Sequence, residues 1–414
     1  MASLARRTTS LGPLAVFVAG VLLLDAGAIA SVVALMFKGR IVGDWISFYT
    51  AGTLVRTGDV AHLYDASAQA AVQHELFGSI SRTMGYPLPL FVALVFAPFT
   101  RLSFVASYLV WLGVNVAALA VLLRLSWRWL EAIPMAVRAV FLVCAVSVTA
   151  LGVLMQGQVD LFVLGGFAGC YALLRAGRPF TAGSVLALAL FKPHLLAGVV
   201  LLLLVKRQWR AIAGLAAAGV PLLLGPALLL GPHLLVDQVR LMLSYTNTAT
   251  DYDVSAAMMI NIRGTVTSLT GSSNVWLWLP LLALIAAVAF AVAVRVWLAR
   301  PAAEAQSWAL AFTLPLLYSP HIHMQSVVLL VAAAGLYLVA SQSSARPIVD
   351  IKHIVAGLVA ITVLSSLALS GLSLTAFVVM GTYLLFSQRW PEPAEAAAGA
   401  VESAPQRAEL ALAS

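Results

Sequence analysis

Long apolar runs broken by short polar punctuation set the pattern of this chain. Leu/Ala/Val-rich stretches cover 12–37, 103–123, 139–155, 159–175, 209–231, 274–296, 305–319, 323–340, 351–369 and 371–387. None alternates apolar and polar residues as a strand of a membrane barrel does. Backbone polar groups in lipid must be satisfied within their own segment, so the pattern predicts helices. The expected fold is all-α and polytopic, with about 10–13 transmembrane or re-entrant helices at ~20 residues per full span. The first run lacks a small-residue cleavage site close by and reads as a retained span rather than a signal peptide.

Two stretches fit poorly as simple spans. Residues 86–100 (YPLPLFVALVFAPFT) are short and carry three prolines, and 180–205 is interrupted by Lys192-Pro193-His194. The second is either a pair of short helices or a hairpin with Lys192 at its apex. Broken backbone at membrane depth survives only where protein or a watery cavity surrounds it.

Composition removes the other classes. Of 414 residues, 62% are hydrophobic and 10% charged, against about a quarter charged in a soluble domain. Mean hydropathy is +0.99. A water-soluble globule could not hide so much apolar surface, and a disordered chain would not contain it. The net charge is +8, but the basic residues sit in clusters between apolar runs, as topology determinants do, which argues against nucleic acid. Cys144 and Cys170 lie in apolar runs and suggest neither a disulfide framework nor a metal cluster.

The same Lys/Arg clusters give an orientation. With Arg6 and Arg7 inside, the cytoplasmic side receives Arg124, Arg128, Arg138, Arg175, Arg178, Lys206, Arg207, Arg210, Arg295, Arg300, Arg346, Lys352 and Arg389. Both termini are then cytoplasmic, and segments 38–102 and 232–273 face outward. Residues 1–390 form one integral-membrane domain in the cytoplasmic membrane. The Ala/Glu/Pro-rich stretch 391–414 is expected to be a disordered tail.

The chemistry-bearing residues concentrate on the outer side. Asp44 follows the first span and precedes an aromatic cluster of Trp45, Phe48 and Tyr49. Such a carboxylate can serve as a general base. It can equally be the N-cap of an interfacial helix whose aromatics form a membrane belt. Lys192, amid Leu/Phe/Ala, either faces a cavity and a partner or snorkels to an interface. Arg263 could clamp a phosphate, or pair with Asp251 or Asp253. His321 and His323 open a span. Their i, i+2 spacing argues against a shared metal, since it points them to different helix faces. Gln156, Gln158 and Asp160 could hydrogen-bond sugar hydroxyls or cap a helix. Asp25, inside the first span, is expected to hydrogen-bond another helix.

Several of these residues carry a family resemblance. Gly43-Asp44-Trp45-x-x-Phe48-Tyr49-x-Ala51-Gly52, Gly58, Leu63-Tyr64-Asp65 and Tyr86-Pro87-x-Pro89 resemble the opening of glycosyltransferase family 87. Gly157-Gln158, Phe191-Lys192-Pro193, Arg207-x-Trp209-Arg210 and Tyr318-Ser319-Pro320-His321 follow in the family's order. The resemblance runs over roughly 40–335; the tryptophan after Asp44 stands where another aromatic is expected. It implies a GT-C architecture with the active site facing outward, and a loop aspartate, here Asp44, as catalytic base. It implies a polyprenyl-phosphate sugar donor, with mannose the expected sugar, and a lipid-linked or glycan acceptor. No separate cofactor or metal is expected. One base without a nucleophile implies inversion.

A departing lipid phosphate needs cations or donors opposite the base. Lys192, His194, Arg263, His321 and His323 are the candidates, and Gln158, Tyr49 and Tyr86 complete the expected substrate-binding set. A transporter or flippase of a lipid-linked sugar is the alternative from another class. It would use the same cavity but has no need of Asp44 outside the membrane.

Overall fold

The computed structural model describes residues 12–40, 43–78, 83–247, 256–272, 274–299 and 304–341. The predicted spans 351–369 and 371–387, the tail 391–414, and Asp251 and Asp253 lie outside the described residues.

The described chain is all-helical. Five helices are long and apolar enough to cross a bilayer: 18–37, 104–130, 135–154, 209–230 and 275–299. They correspond to five of the expected spans, and the chain is a multi-pass membrane protein. They belong to α1 (Gly12–Phe37), α5 (Phe104–Leu130), α6 (Met135–Thr149, continued by a wider turn over Ala150–Leu154), α10 (Trp209–Leu230) and α13 (Val275–Ala299). Their outer faces leave leucines in the open, such as Leu23 at 73% and Leu229 at 86% exposed. In lipid that face costs nothing, because acyl chains are as apolar as leucine.

Shorter helices fill the interior. α7 (Asp160–Arg175), α14 (Glu304–Tyr318) and α15 (Val328–Ser341) pack on one another and on α5, α6 and α13. Residues 306–316 of α14 are buried without a break. At 1.5 Å per residue α7 is about 24 Å long, less than the ~30 Å of a hydrocarbon core. It can be short because protein surrounds it.

The two irregular stretches are resolved. Residues 90–101 form α4 (Leu90–Phe96) and a 3₁₀ turn, after Pro87 and Pro89. Segment 180–205 is the short-helix pair: α8 (Pro179–Leu186) running into a 3₁₀ turn that ends at Phe191, then α9 (Ala197–Val205). The break falls at Lys192, whose φ of −135° and ψ of 79° are non-helical. Pro193 causes it, since proline disfavours α geometry in the residue before it and has no N–H to donate.

Segment 38–102 is structured. α2 (Trp45–Arg56) lies against α4, and α3 (Ala66–Phe77) packs on α2. Trp45 is fully buried and packs its ring on Phe96, Phe99, Tyr108 and Trp111 at centroid distances of 5.4–6.3 Å. A membrane belt of these aromatics is therefore excluded; they form the core that fixes α2 on α4 and α5. The other loop contributes α11 (His233–Asn247) and α12 (Ile262–Thr270). Asp25 makes the interhelical bond expected of it, accepting from Ser147 Oγ of α6 at 2.5 Å.

Candidate active site

One turn organises the site. Between α6 and α7 the chain runs through Met155–Val159, and several segments hold it. The wide turn that ends α6 closes with Met155 N–H donating to Ala150 C=O at 3.0 Å, an i→i−5 bond, a local form that recurs at functional positions. Tyr108 Oη donates to Leu154 C=O and Trp111 Nε1 to Gly157 C=O, both at 2.9 Å. Gly157 takes φ +68°, and a Cβ there would lie 3.0 Å from Trp45 Cβ. A side chain at this position would be strained and would clash, so glycine is required.

Asp44 is tied to this turn twice. Its backbone N–H donates to Gln156 C=O at 3.0 Å, and its carboxylate accepts from Gln158 Nε2. Gly43 before it has φ +72°, and a Cβ there would come within 2.9 Å of the Gln156 and Met155 backbones. Asp44 occupies the N-cap position of α2, but its side chain makes no cap hydrogen bond. The capping explanation for the residue is thereby overturned: the carboxylate turns to Gln158 instead. Asp65, by contrast, caps α3, accepting from Ser67 N–H at 2.7 Å and Ala68 N–H at 3.0 Å. The Ser67 hydroxyl and these N–H groups hold its carboxyl below the usual range.

Two residues beyond Gln158 stands Asp160, 1% exposed. Its carboxylate takes Lys192 Nζ at 2.6 Å and Ser326 Oγ at 2.9 Å. This revises the reading of Lys192. The lysine does not snorkel; a carboxylate of α7 balances it. The sequence offered Asp160 as a sugar-binding or helix-capping residue, and its pairing with Lys192 is what that reading missed. The available signal was an acid opening one apolar span and a lysine interrupting another, since charges at membrane depth pair.

The remaining cations and imidazoles converge beside that pair. His321 lies within electrostatic range of His323, His194, Arg263 and Lys192, and the His321 and His323 rings are 4.9 Å apart. The segment bearing Arg263 is stapled to the turn bearing His321: Ile260 N–H donates to Ile322 C=O at 3.0 Å and Asn261 Nδ2 to Ser319 C=O at 2.8 Å. Arg263 is 1% exposed, with its guanidinium 4.9 Å from the Trp278 ring centroid. Burial pulls it down to about 10, so it remains cationic at neutral pH. Surrounding protein pushes His321, in the turn between two helices, well below the ordinary imidazole range, with His323 adding to the effect.

The site therefore has a buried floor of Gln158, Asp160, Lys192 and Arg263, and a partly exposed set of Asp44, Gln156, His194, His321 and His323. Tyr49 and Tyr86 are placed elsewhere. Both are buried in the core, with their hydroxyls donating to Leu102 C=O and Pro89 C=O at 2.9 Å. They support α2 and α4 in this arrangement and do not face the histidines.

A family model for glycosyltransferase family 87 matches residues 86–320, more than half of the chain. The chain belongs to glycosyltransferase family 87. It is thus a membrane glycosyltransferase, an enzyme that acts on sugar donors and on lipid or glycan acceptors. The match takes in the turn with Gln158 and Asp160, the break at Lys192 and His194, and Arg263; Asp44, His321 and His323 lie outside it. No curated protein and no solved structure matches the chain.

Proposed function

We propose that this family 87 enzyme transfers a hexosyl group, mannose by its sequence resemblance, from a polyprenyl phosphate to a lipid-linked or glycan acceptor at the outer face of the cytoplasmic membrane. Asp44 is the general base. The acceptor hydroxyl attacks the anomeric carbon, its proton passes to the Asp44 carboxylate, and the bond from that carbon to the phosphate oxygen breaks. A single displacement inverts the anomeric centre. Arg263 supplies the main charge for the departing phosphate. Lys192, already balanced by Asp160, and the imidazoles of His194, His321 and His323 supply further donors.

The observation that carries this reading is the meeting of two chemistries at the 155–160 turn. Asp44 is bound to Gln156 and Gln158, while Asp160 two residues later holds Lys192 beside the histidines and Arg263. A base and a cation set tied to one anchored turn match the needs of glycosyl transfer from a phosphate. The distribution of Lys and Arg supports the outward orientation: Arg138, near the start of α6, and Arg175, at the end of α7, are each separated from the 155–160 turn by most of a helix.

The test is transfer by purified protein in detergent. Radiolabelled polyprenyl-phosphate mannose, glucose and galactose are offered in turn with a total membrane-lipid extract as acceptor. Label moving from the mannosyl donor into a new glycolipid is expected. Transfer from a nucleotide sugar alone would overturn the donor class.

A further inference from the structure

Gln158 shows a division between its two amide atoms. Nε2 donates to the Asp44 carboxylate. Oε1 is buried and has no hydrogen-bond partner among the described residues. The orientation follows from chemistry, because an ionised carboxylate can only accept and so must face the nitrogen. An orphaned buried oxygen costs free energy. A residue serving only to fill space there would be better apolar. The cost is tolerated for what Nε2 does.

We propose that Gln158 is a positioning residue for glycosyl transfer: its amide N–H fixes the carboxylate of Asp44 in the orientation that meets the acceptor hydroxyl. This rests on the reading of Asp44 as the base. A base must bring a lone pair to one direction in space, yet Asp44 is partly exposed and lies where a short link enters α2. Gln158 narrows the directions open to that carboxylate, and it can do so because its own turn is fixed. Trp111 and Tyr108 hold the carbonyls of the turn, and the Asp44 backbone N–H adds a second link to it. The pair of Asp160 with Lys192 pins the far end. The base is thus registered against the same turn that carries the counter-ion of Lys192.

The test is a kinetic cycle with the polyprenyl-phosphate sugar that the wild-type protein turns over. Gln158→Leu keeps the volume and removes the donor. It is expected to lower kcat by ~10–100-fold, the scale of a misplaced reacting group, with KM for the donor unchanged and melting temperature retained. Because Gln158 acts through Asp44, adding Gln158→Leu to Asp44→Asn should lower the residual rate no further. Gln158→Met should behave as Gln158→Leu does and stands in for it if the leucine variant does not fold. Full kcat in a folded variant would overturn the proposal. So would a change confined to KM, which marks direct substrate contact, or a loss that multiplies in the Asp44→Asn background, which marks general structural damage. Asp44→Asn measured alone separates the two ideas: near wild-type turnover removes the base, whereas a crippled Asp44→Asn beside a normal Gln158→Leu removes only the positioning role.

Discussion

The Lys192 ammonium and the Asp160 carboxylate meet at 2.6 Å, joining residues 32 positions apart in sequence, and neither side chain is more than 8% exposed. The pair pins the break between α8 and α9 to the start of α7. Removing one partner of a buried pair leaves an uncompensated charge, at a cost of about 3–5 kcal/mol, while replacing both by apolar groups is often neutral. Asp160→Asn and Lys192→Met are each expected to lower the melting temperature of the detergent-purified protein. The double variant Lys192→Met with Asp160→Leu should recover most of the loss. Two silent single variants would show that the pair does not hold the break. In the recovered double variant, weakened donor affinity in a stable protein assigns the Lys192–Asp160 pair a role at the donor phosphate beyond holding the break.

Asp44→Asn is the corresponding test of the base. Asparagine keeps a side-chain oxygen that can still accept from Gln158, so folding should be little affected. It cannot take the acceptor's proton, and loss of a general base costs ~10²–10⁴-fold, roughly 3–5 kcal/mol of barrier. Single-turnover transfer from the labelled donor is the measurement. Turnover near the wild-type rate in a folded sample would reject Asp44 as base. Asp65 is then a poor successor, since helix capping already occupies its carboxylate.

The sequence made some of this arrangement legible and hid the rest for a physical reason. The long helices were legible because lipid demands continuous apolar runs. The break at Lys192-Pro193 was legible because proline and a charge both violate such a run. Asp44 stood out as a carboxylate beside a span. What could not be read was pairing across helices. Nothing local says that Lys192 faces Asp160, that Gln158 faces Asp44, or that Trp45 stacks on Trp111 rather than lying at the headgroups. Those contacts depend on how helices rotate and cross, which tertiary packing decides. Tyr49 and Tyr86 show the same limit, since the motifs that contain them do not reveal that their hydroxyls are spent on backbone carbonyls.

The orientation has its own test. Ser67 is exposed and Ser272 partly so, on the two segments expected outside. The native thiols of Cys144 and Cys170 are buried, which keeps the background low. Ser67→Cys and Ser272→Cys should both react with a membrane-impermeant maleimide in intact cells. Protection of both, with labelling only after the membrane is opened, would invert the topology and move the site to the cytoplasmic face.

His321 gives the site a dependence on pH whose sign can be worked out. Surrounding protein and the neighbouring His323, His194, Arg263 and Lys192 all disfavour its charged form, so its folded pKa lies below the unfolded value, which is roughly 6.5. Below that unfolded value the unfolded chain binds a proton that the folded chain refuses, and the equilibrium shifts toward unfolding. The stability that neutral His321 contributes is therefore fully present above about pH 6.5 and declines as pH falls from there toward the folded pKa. Melting temperature measured from pH 8 down to pH 5 should be flat at first and then fall. His321→Gln keeps a hydrogen-bonding side chain that does not titrate, so its curve should fall less steeply over the acidic part. Parallel curves for the two proteins would show that His321 carries none of the acid sensitivity. The same experiment bears on the phosphate: if neutral His321 donates a hydrogen bond to the donor, His321→Gln should retain part of the donor affinity, and His321→Leu should retain less.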